Sequence, residues 1–427
     1  MIDIVNYFYT FYRSQHTPSL KTMKYFMDEY NWFEKEMKIV HIAGTNGKGS
    51  TTKIITEILI KSGYKVGTII SPHLIDYCER ITINNVKITH KEIEKYILEL
   101  DPKIKKYNEY ARKNDIDEVT FFELITMIAL LHFRENEVDF VVMETGMGGL
   151  YDGTNIITKP IASIITSIGY DHTNSLGDTL EEIASQKAGI IKPNSDTVIF
   201  KQSKSVNQVF IDKCKSINNK LHIIEESDIE NYYFDENYQY FDFKNYSKIK
   251  LKLLGKAQVR NTALSLEVIN IIKDKGFEVP DKAIKQALAT IVNPGRMEVL
   301  HKNPTIIFDG AHNIPAMENF VEMINMYYPN KPKKYIISIL ERKKYDDMLK
   351  IISTDKNAKF ILTSGNDETR YTSKETLYDC AKKYIEESKL EKADLEQALQ
   401  QALKGKELTF VIGSFYVYGT VVDVVKG

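Results

Sequence analysis

Cysteine is scarce. Cys78, Cys214 and Cys380 stand far apart in 427 residues, too few and too scattered for a disulfide framework or a cysteine-rich zinc site. They imply a reducing compartment and inert thiols. Long apolar runs are missing too, so no segment is expected to cross a membrane. The opening "MIDIVNYFYTFYRSQHTPSL" has no basic segment ahead of an apolar one, and no signal peptide is expected. Charge of one sign is not in excess: 57 Lys and Arg face 58 Asp and Glu, a formal net charge of -1. That balance argues against nucleic acid as the main partner. Repeats and low-complexity segments are absent as well. What remains is a chain expected to be cytoplasmic, 43% hydrophobic and 27% charged, long enough for two or three domains.

What is present is an alternation of short apolar runs with helical patterns. "KIVHIAG" reads as a buried parallel strand and "STTKIITEILIKSG" as a helix with Ile54, Ile55, Ile58 and Leu59 on one face and Gly63 as its stop. "KVGTIIS" follows as the next strand, which completes a βαβ unit. "FFELITMIALLHFREN" predicts a buried helix, "VDFVVMETG" and "IASIITSIG" strands, and "TLEEIASQKAGIIKP" a helix ending near Gly189. The texture then turns aromatic and alternating in "YYFDENYQYFDFKNYSKIKLKLLG", which suggests hairpin strands, and a helix is predicted from about Ala257 to Lys275. Pro294-Gly295 reads as a hinge. Beyond it "TIIFDGAHN", "YIISIL", "KFILTS" and "LTFVIGSF" restart the alternation. The expected fold is α/β in two domains joined near residue 294.

The turn of the first βαβ unit carries "GTNGKGSTT". A phosphate loop needs backbone N–H groups facing one concavity, glycines to permit that, a lysine for charge and a hydroxyl for a metal. Gly44, Gly47 and Gly49 supply the freedom, Lys48 the charge, and Ser50, Thr51 and Thr52 the hydroxyls. The pattern departs from G-x-x-x-x-G-K-[ST], because Ile42 stands at the first glycine and Gly49 follows the lysine. A structural turn would need one or two glycines rather than three around a lysine. Glu144 closes a later strand, where an open α/β sheet presents ligands. His172 lies just past another strand, where a histidine is ordinarily structural. Lys187 reads as a cation at the end of a helix.

The segment "HIAGTNGKGST", with its extra glycine, resembles the ATP loop of the folylpolyglutamate and dihydrofolate synthases of the Mur ligase superfamily. "SPHL" (71–74), "ERI" (79–81), "TFFE" (120–123) and "ITSIGYDHTNSLGDTLEEIASQKAGIIKP" (165–193) are similar to that family too. So are "PGRMEV" around Arg296, "DGAHN" (309–313) and "GSFYVYG" (413–419). The matches run in family order from about residue 39 onward, and the Lys187 segment and "DGAHN" are more specific than the loop.

This resemblance implies a P-loop-containing N-terminal domain with a parallel sheet, residues 1–293, holding ATP and folate. A smaller Rossmann-like glutamate ligase domain, residues 294–427, completes the fold. Asn46, Gly47, Lys48, Gly49 and Ser50 would hold the ATP phosphates, Asn261 would face the nucleotide, and Arg296 and Asp309 would reach ATP. Ser71, Glu144 and His172 would hold Mg²⁺, joined by Lys187 once CO₂ has carbamylated it. His312 would lie beside the reacting centre, with Lys48 and Lys187 as the other catalytic groups. A pterin would sit near Phe122 and Glu123 and near the loop bearing Tyr151 and Asp152. The implied reaction is ATP-dependent: a carboxylate of folate or pteroate is phosphorylated, and the amine of L-glutamate displaces the phosphate. Domain closure about Pro294-Gly295 would exclude water. A monomer is expected.

Two departures stand out. The family usually reads G-L-G-G-R-L-D-A-T-N after the glutamate, whereas this chain has "GMGGLYDGTN", with Leu150 for the arginine and Gly153 for the alanine. "ERKKYDDM" replaces a Lys-Asp-Lys-Asp-like run. Among alternatives, a peptidoglycan-type ligase would carry a further domain before the loop, and about forty residues are too few for one. A nucleotide-binding regulator without catalysis is favoured only by the altered loop after Glu144. A generic P-loop kinase leaves "DGAHN" unexplained.

Overall fold

The computed structural model describes residues 3–12, 19–365, 367 and 369–427. The chain divides into two compact units. The first comprises Met1–Tyr232, Phe241–Lys250 and Arg260–Thr290, and the second Tyr233–Tyr240, Leu251–Val259 and Ile291–Gly427.

In the first unit the apolar runs assemble into an eight-stranded sheet. Across it lie Val86–Lys87, Ile81–Ile83, Val66–Ile69, Phe140–Glu144, Ile39–Ala43, Ala162–Ile165, Asp196–Phe200 and Lys220–Ile224. The first two strands pair antiparallel at one edge, and the other six are parallel. Ile39–Ala43 and Phe140–Glu144 are buried at every position, as expected of strands covered on both faces. Ile39–Ala43 lies between Phe140–Glu144 and Ala162–Ile165, with Ile42 opposite Glu144 and Ala43 opposite Ile165. The strand order reverses here, and three strand ends open side by side, which is where open α/β sheets bind ligands.

The helix Phe121–Glu135 is buried nearly all round and anchors the core on one face, with Ile4, Phe8, Met23 and Phe26 packed around it. Each fully buried Leu, Ile or Phe there contributes about 2 kcal/mol through removal of apolar surface from water. The helix of the glycine loop spans Lys48–Lys61, two residues earlier than its apolar pattern suggests, and Ile54, Ile55, Ile58 and Leu59 are all buried. Leu180–Ala188 and Lys256–Asp274 fall where helices are predicted. The aromatic stretch forms a three-stranded sheet of Ile229–Phe234, Gln239–Phe243 and Tyr246–Leu251. No helix among the described residues is long and apolar enough to cross a membrane.

The second unit holds a six-stranded sheet in the order Glu298–Lys302, Thr305–Phe308, Leu408–Ile412, Lys333–Ile337, Ala358–Leu362 and Leu390–Lys392. Only the first strand is antiparallel to its neighbour. Tyr335, Phe360, Phe410 and Phe320 form its aromatic centre. The strands end at Phe308 and Ile412, just before "DGAHN" and "GSFYVYG".

Candidate active site

The glycine loop is held by its neighbours rather than by its own turn. Gly44 has φ +151°, and a Cβ there would meet Thr166 Oγ1 at 1.7 Å. Gly47 has φ +93°, and its Cβ would meet Asn261 Oδ1 at 2.5 Å. Only glycine fits either place. Thr166 Oγ1 donates to Asn46 O at 2.8 Å, Ser167 Oγ donates to the same carbonyl at 3.1 Å, and Thr45 N donates to Ser167 O at 2.7 Å. The helix beginning at Lys48 has Gly47 as its N-cap and no side-chain cap. The helices after Thr89, Thr120 and Thr179 instead carry reciprocal capping boxes. First-turn N–H groups without a cap and the positive end of the helix dipole suit an anion.

Beneath this loop charges gather: Glu144 and Lys187 are buried, and Lys48 is partly so. Lys48 Nζ donates to Gly44 O at 3.1 Å and lies 4.0 Å from Glu144 Oε1. Glu144 is 3% exposed, and its Oε2 is 3.5 Å from where a Cβ on Gly49 would stand. The hydroxyls of Thr51, Thr52 and Thr145 are buried without a hydrogen-bond partner, so the pocket floor has polar capacity to spare. Lys187 is buried and donates from Nζ to Gly44 O at 2.9 Å. Burial, and then the nearby charge of Lys48, push its amine down to about 7. The residue read as a helix-end cation thus lies inside, on the back of the loop.

The remaining first-unit candidates divide. Phe122 covers Gly146, whose Cβ would meet the ring at 2.7 Å. Glu123 is committed elsewhere: its Oε2 accepts from Thr120 N and Thr120 Oγ1, both at 2.8 Å, as half of a capping box. Its role in the structure is to start the helix that carries Phe122. Asp152 is likewise an internal organiser, accepting from Met147 N at 2.8 Å and Thr154 N at 3.0 Å, and burial raises its carboxyl above the usual range. Tyr151 is half exposed, as is Leu150. Leu150 N donates to Gln186 O, one residue before Lys187. His172 has φ +53° and caps the short helix Thr173–Leu176, with Asp171 Oδ1 at 4.0 Å from its Nε2.

Ser71 begins a loop braced by the "ERI" segment. Glu79 accepts from Leu74 N at 2.7 Å, and Arg80 Nε donates to His73 Nδ1 at 2.9 Å. That coupling explains why "SPHL" and "ERI" occur together. His41 is the residue that sequence reasoning passed over. It is fully buried in the strand before the loop, neutral because burial pushes it down to about 3. Its Nε2 lies 2.8 Å from Thr154 Oγ1, which in turn donates to Asp152 Oδ1 at 2.5 Å. A histidine amid the apolar "IVHIA" was the available signal.

In the second unit, Asp309 ends the strand Thr305–Phe308 and is buried. It accepts from Ala311 N at 2.9 Å and Met297 N at 3.0 Å, and burial raises its carboxyl while Arg296 opposes the rise. The Arg296 guanidinium lies 4.5 Å from the Phe415 ring centroid. His312 Nδ1 donates to Gly310 O at 2.8 Å, which orients the ring. A Cβ on Gly310 would fall 2.0 Å from Phe415, so "DGAHN", Arg296 and "GSF" pack as one cluster.

A parallel sheet with a glycine loop, a Lys-Glu pair beside it and a following α/β unit make an architecture suited to binding a nucleotide's phosphates. The chain matches the Mur ligase middle domain over residues 42–269 and the Mur ligase, glutamate ligase domain over residues 295–415. It is 32% identical over 411 residues to the dihydrofolate synthase/folylpolyglutamate synthase of Bacillus subtilis, covering 93% of each chain. It superposes on the folylpolyglutamate synthase of Thermotoga maritima with a TM-score of 0.84 at 28% identity, covering 99% of this chain and 96% of the other. Escherichia coli FolC, solved in complex with DHPP and ADP, gives a TM-score of 0.84 at 25% identity, covering 99% and 97%. The chain belongs to the dihydrofolate synthase/folylpolyglutamate synthase family and is an ATP-dependent folate–glutamate ligase.

Proposed function

We propose that Asn46, Gly47, Lys48, Gly49 and Ser50 seat the ATP phosphates and that the chain transfers the γ-phosphoryl group to a carboxylate of a folate or pteroate. The carboxylate oxygen attacks phosphorus, ADP leaves, and an acyl phosphate forms. The amine of L-glutamate then attacks the acyl carbon, phosphate departs, and the amine loses its proton. The observation that carries this reading is the pair at the loop, the partly buried Lys48 and the buried Glu144, 4.0 Å apart. Lys48 offsets the repulsion between two approaching anions, and the uncapped helix start does the same through its dipole.

Glu144, with Ser71 and His172, would hold Mg²⁺. One buried carboxylate beside a phosphate loop fits an ion that keeps several waters and takes phosphate oxygens as ligands. When bound it supplies Lewis-acid neutralisation of the transferring phosphoryl group. A lysine amine brought down to about 7 keeps a substantial uncharged fraction at neutral pH. Lys187 is therefore suited to add to CO₂, losing a proton and gaining a carboxylate. Asn261 against Gly47 is placed to meet the nucleotide. Arg296 and Asp309 would reach ATP, and His312 would lie beside the reacting groups. The acceptor's pterin lies toward Phe122 and the Tyr151 loop, with Glu123 and Asp152 positioning those elements. The enzyme acts in the cytoplasm as a monomer, and its three widely spaced cysteines fit the reducing compartment.

The test is phosphate release with ATP, Mg²⁺ and glutamate, with tetrahydrofolate in one set and dihydropteroate in another. Release that needs glutamate and either acceptor supports the proposal. ATP binding with no release from any combination would instead favour a nucleotide-responsive regulator.

A further inference from the structure

Some distance along the chain from the glycine loop, a second set of metal-type side chains converges. Asp76, Cys78 and His90 bring one ligand atom each within 4.8 Å of one another, the only such trio of His, Cys, Asp or Glu among the described residues. Asp76 caps the single turn Tyr77–Arg80, Cys78 lies within that turn, and His90 opens the long helix His90–Lys113. Two separate elements therefore meet at one point.

We propose that Asp76, Cys78 and His90 form a binding site for a zinc-class divalent cation. The spacing supports it. A tetrahedral zinc site with bonds of about 2.0 to 2.3 Å sets its donors roughly 3.4 Å apart. His90 Nε2 and Asp76 Oδ1 are already 3.5 Å apart, and the Cys78 thiol, a hydrogen-bond neighbour of Asp76, lies within 4.8 Å of both. The donor chemistry supports it too. One sulfur, one nitrogen and one oxygen suit zinc and exclude Mg²⁺ and Ca²⁺, which demand oxygen. Lys87, a cation close enough to act on Asp76, pairs with Glu79 Oε1 at 3.1 Å. His90 is exposed, which leaves an entry path and a fourth position for water.

The location gives the site a consequence. Asp76 N, Ile75 N and Leu74 N all donate to Glu79, and Arg80 holds His73. A cation bound to Asp76 and Cys78 would clamp the turn that braces Ser71–Leu74, and would pin it to the helix at His90.

The experiment uses the tag-free full chain titrated with Co²⁺, whose thiolate complexes absorb in the near ultraviolet. The expected result is a sulfur-to-cobalt band saturating at one equivalent, displaced by Zn²⁺ and untouched by excess Mg²⁺. It should vanish in Cys78→Ser and weaken at least about 10-fold in affinity in His90→Ala. Because His90 is exposed, its variant keeps the fold even if the cysteine variant does not. The absence of a band from the wild-type chain, or a band of unchanged affinity in His90→Ala, would overturn the site.

Discussion

Two glycine-bearing loops leave neighbouring strands of one sheet, and they are built to different tolerances. In residues 44–50 the glycines at 44 and 47 have positive φ and face a side chain at 1.7 Å and 2.5 Å. In residues 146–153 the first part is as tight: Gly146 meets Phe122 at 2.7 Å, and Gly149 meets Gln186 O at 2.8 Å. Beyond that the side chains are looser, although the backbone stays packed: a Cβ on Gly189 would meet Leu150 Cα at 2.3 Å. Leu150 and Tyr151 are half exposed, and a Cβ on Gly153 would meet Glu123 Cγ at 3.5 Å, an ordinary contact. The departures from the family pattern, Leu150 and Gly153, both fall in this looser part. On this account the first loop serves phosphoryl transfer, which is common to the family. The second serves the acceptor, which can vary.

The largest effect is expected beneath the tight loop. Lys187→Ala should lower kcat by on the order of 10²- to 10³-fold or more, with circular dichroism unchanged. Full activity in that variant would remove Lys187 from the chemistry. Next comes Gly44→Ala, which forces a Cβ into Thr166 on a backbone that disfavours it. A loss of about 3 kcal/mol in urea unfolding is expected, together with loss of ATP binding. In the second unit, Asp309→Ala should raise the KM for ATP while leaving folate binding intact. Equal loss of both would contradict a separate task for that cluster. Gly153→Ala should change stability by no more than about 0.5 kcal/mol, and a loss comparable to that at Gly44 would erase the contrast between the loops.

The smallest effect lies away from both loops and checks the stability readout. His222 bridges Glu267 and Asp196, each at 3.0 Å, and Glu267 foremost raises it from its ordinary value of 6.5. Glu267 is itself held down at about 2, so it stays charged near neutrality. A raised histidine stabilises the fold fully below its unfolded pKa and loses that contribution as pH rises through the folded value. The Tm gap between wild type and His222→Gln should therefore shrink on going from about pH 6 to pH 9. A gap that widened would reverse the assignment.

The strands and the phosphate loop were legible because each carries a local signature. Buried parallel strands read as short apolar runs, and three glycines around Lys48 have few other uses. The long helix His90–Lys113 was not read: Pro102 lies inside it, and its start signal, Thr89 with Glu92, is a capping box rather than an apolar pattern. The strands Asp196–Phe200 and Lys220–Ile224 also went unread, since "DTVIF" and "KLHII" are short and carry no motif. At the site, Glu123 was read as a substrate contact because it stands in "TFFE", and the structure adds that its Oε2 also accepts from Thr120. Capping geometry is a three-residue relation that the family pattern conceals. The burial of Lys187 against Gly44 O joins residues 143 apart, and no local pattern could show it.

The most direct test is the ratio of kcat/KM for tetrahydrofolate and dihydropteroate, in the wild type and in Leu150→Arg combined with Gly153→Ala. The account predicts that the ratio moves by about 10-fold or more, the size of one lost or gained charged contact, while the KM for ATP stays the same. An unchanged ratio, or a change confined to ATP, would contradict the division between a fixed phosphate loop and a variable acceptor loop.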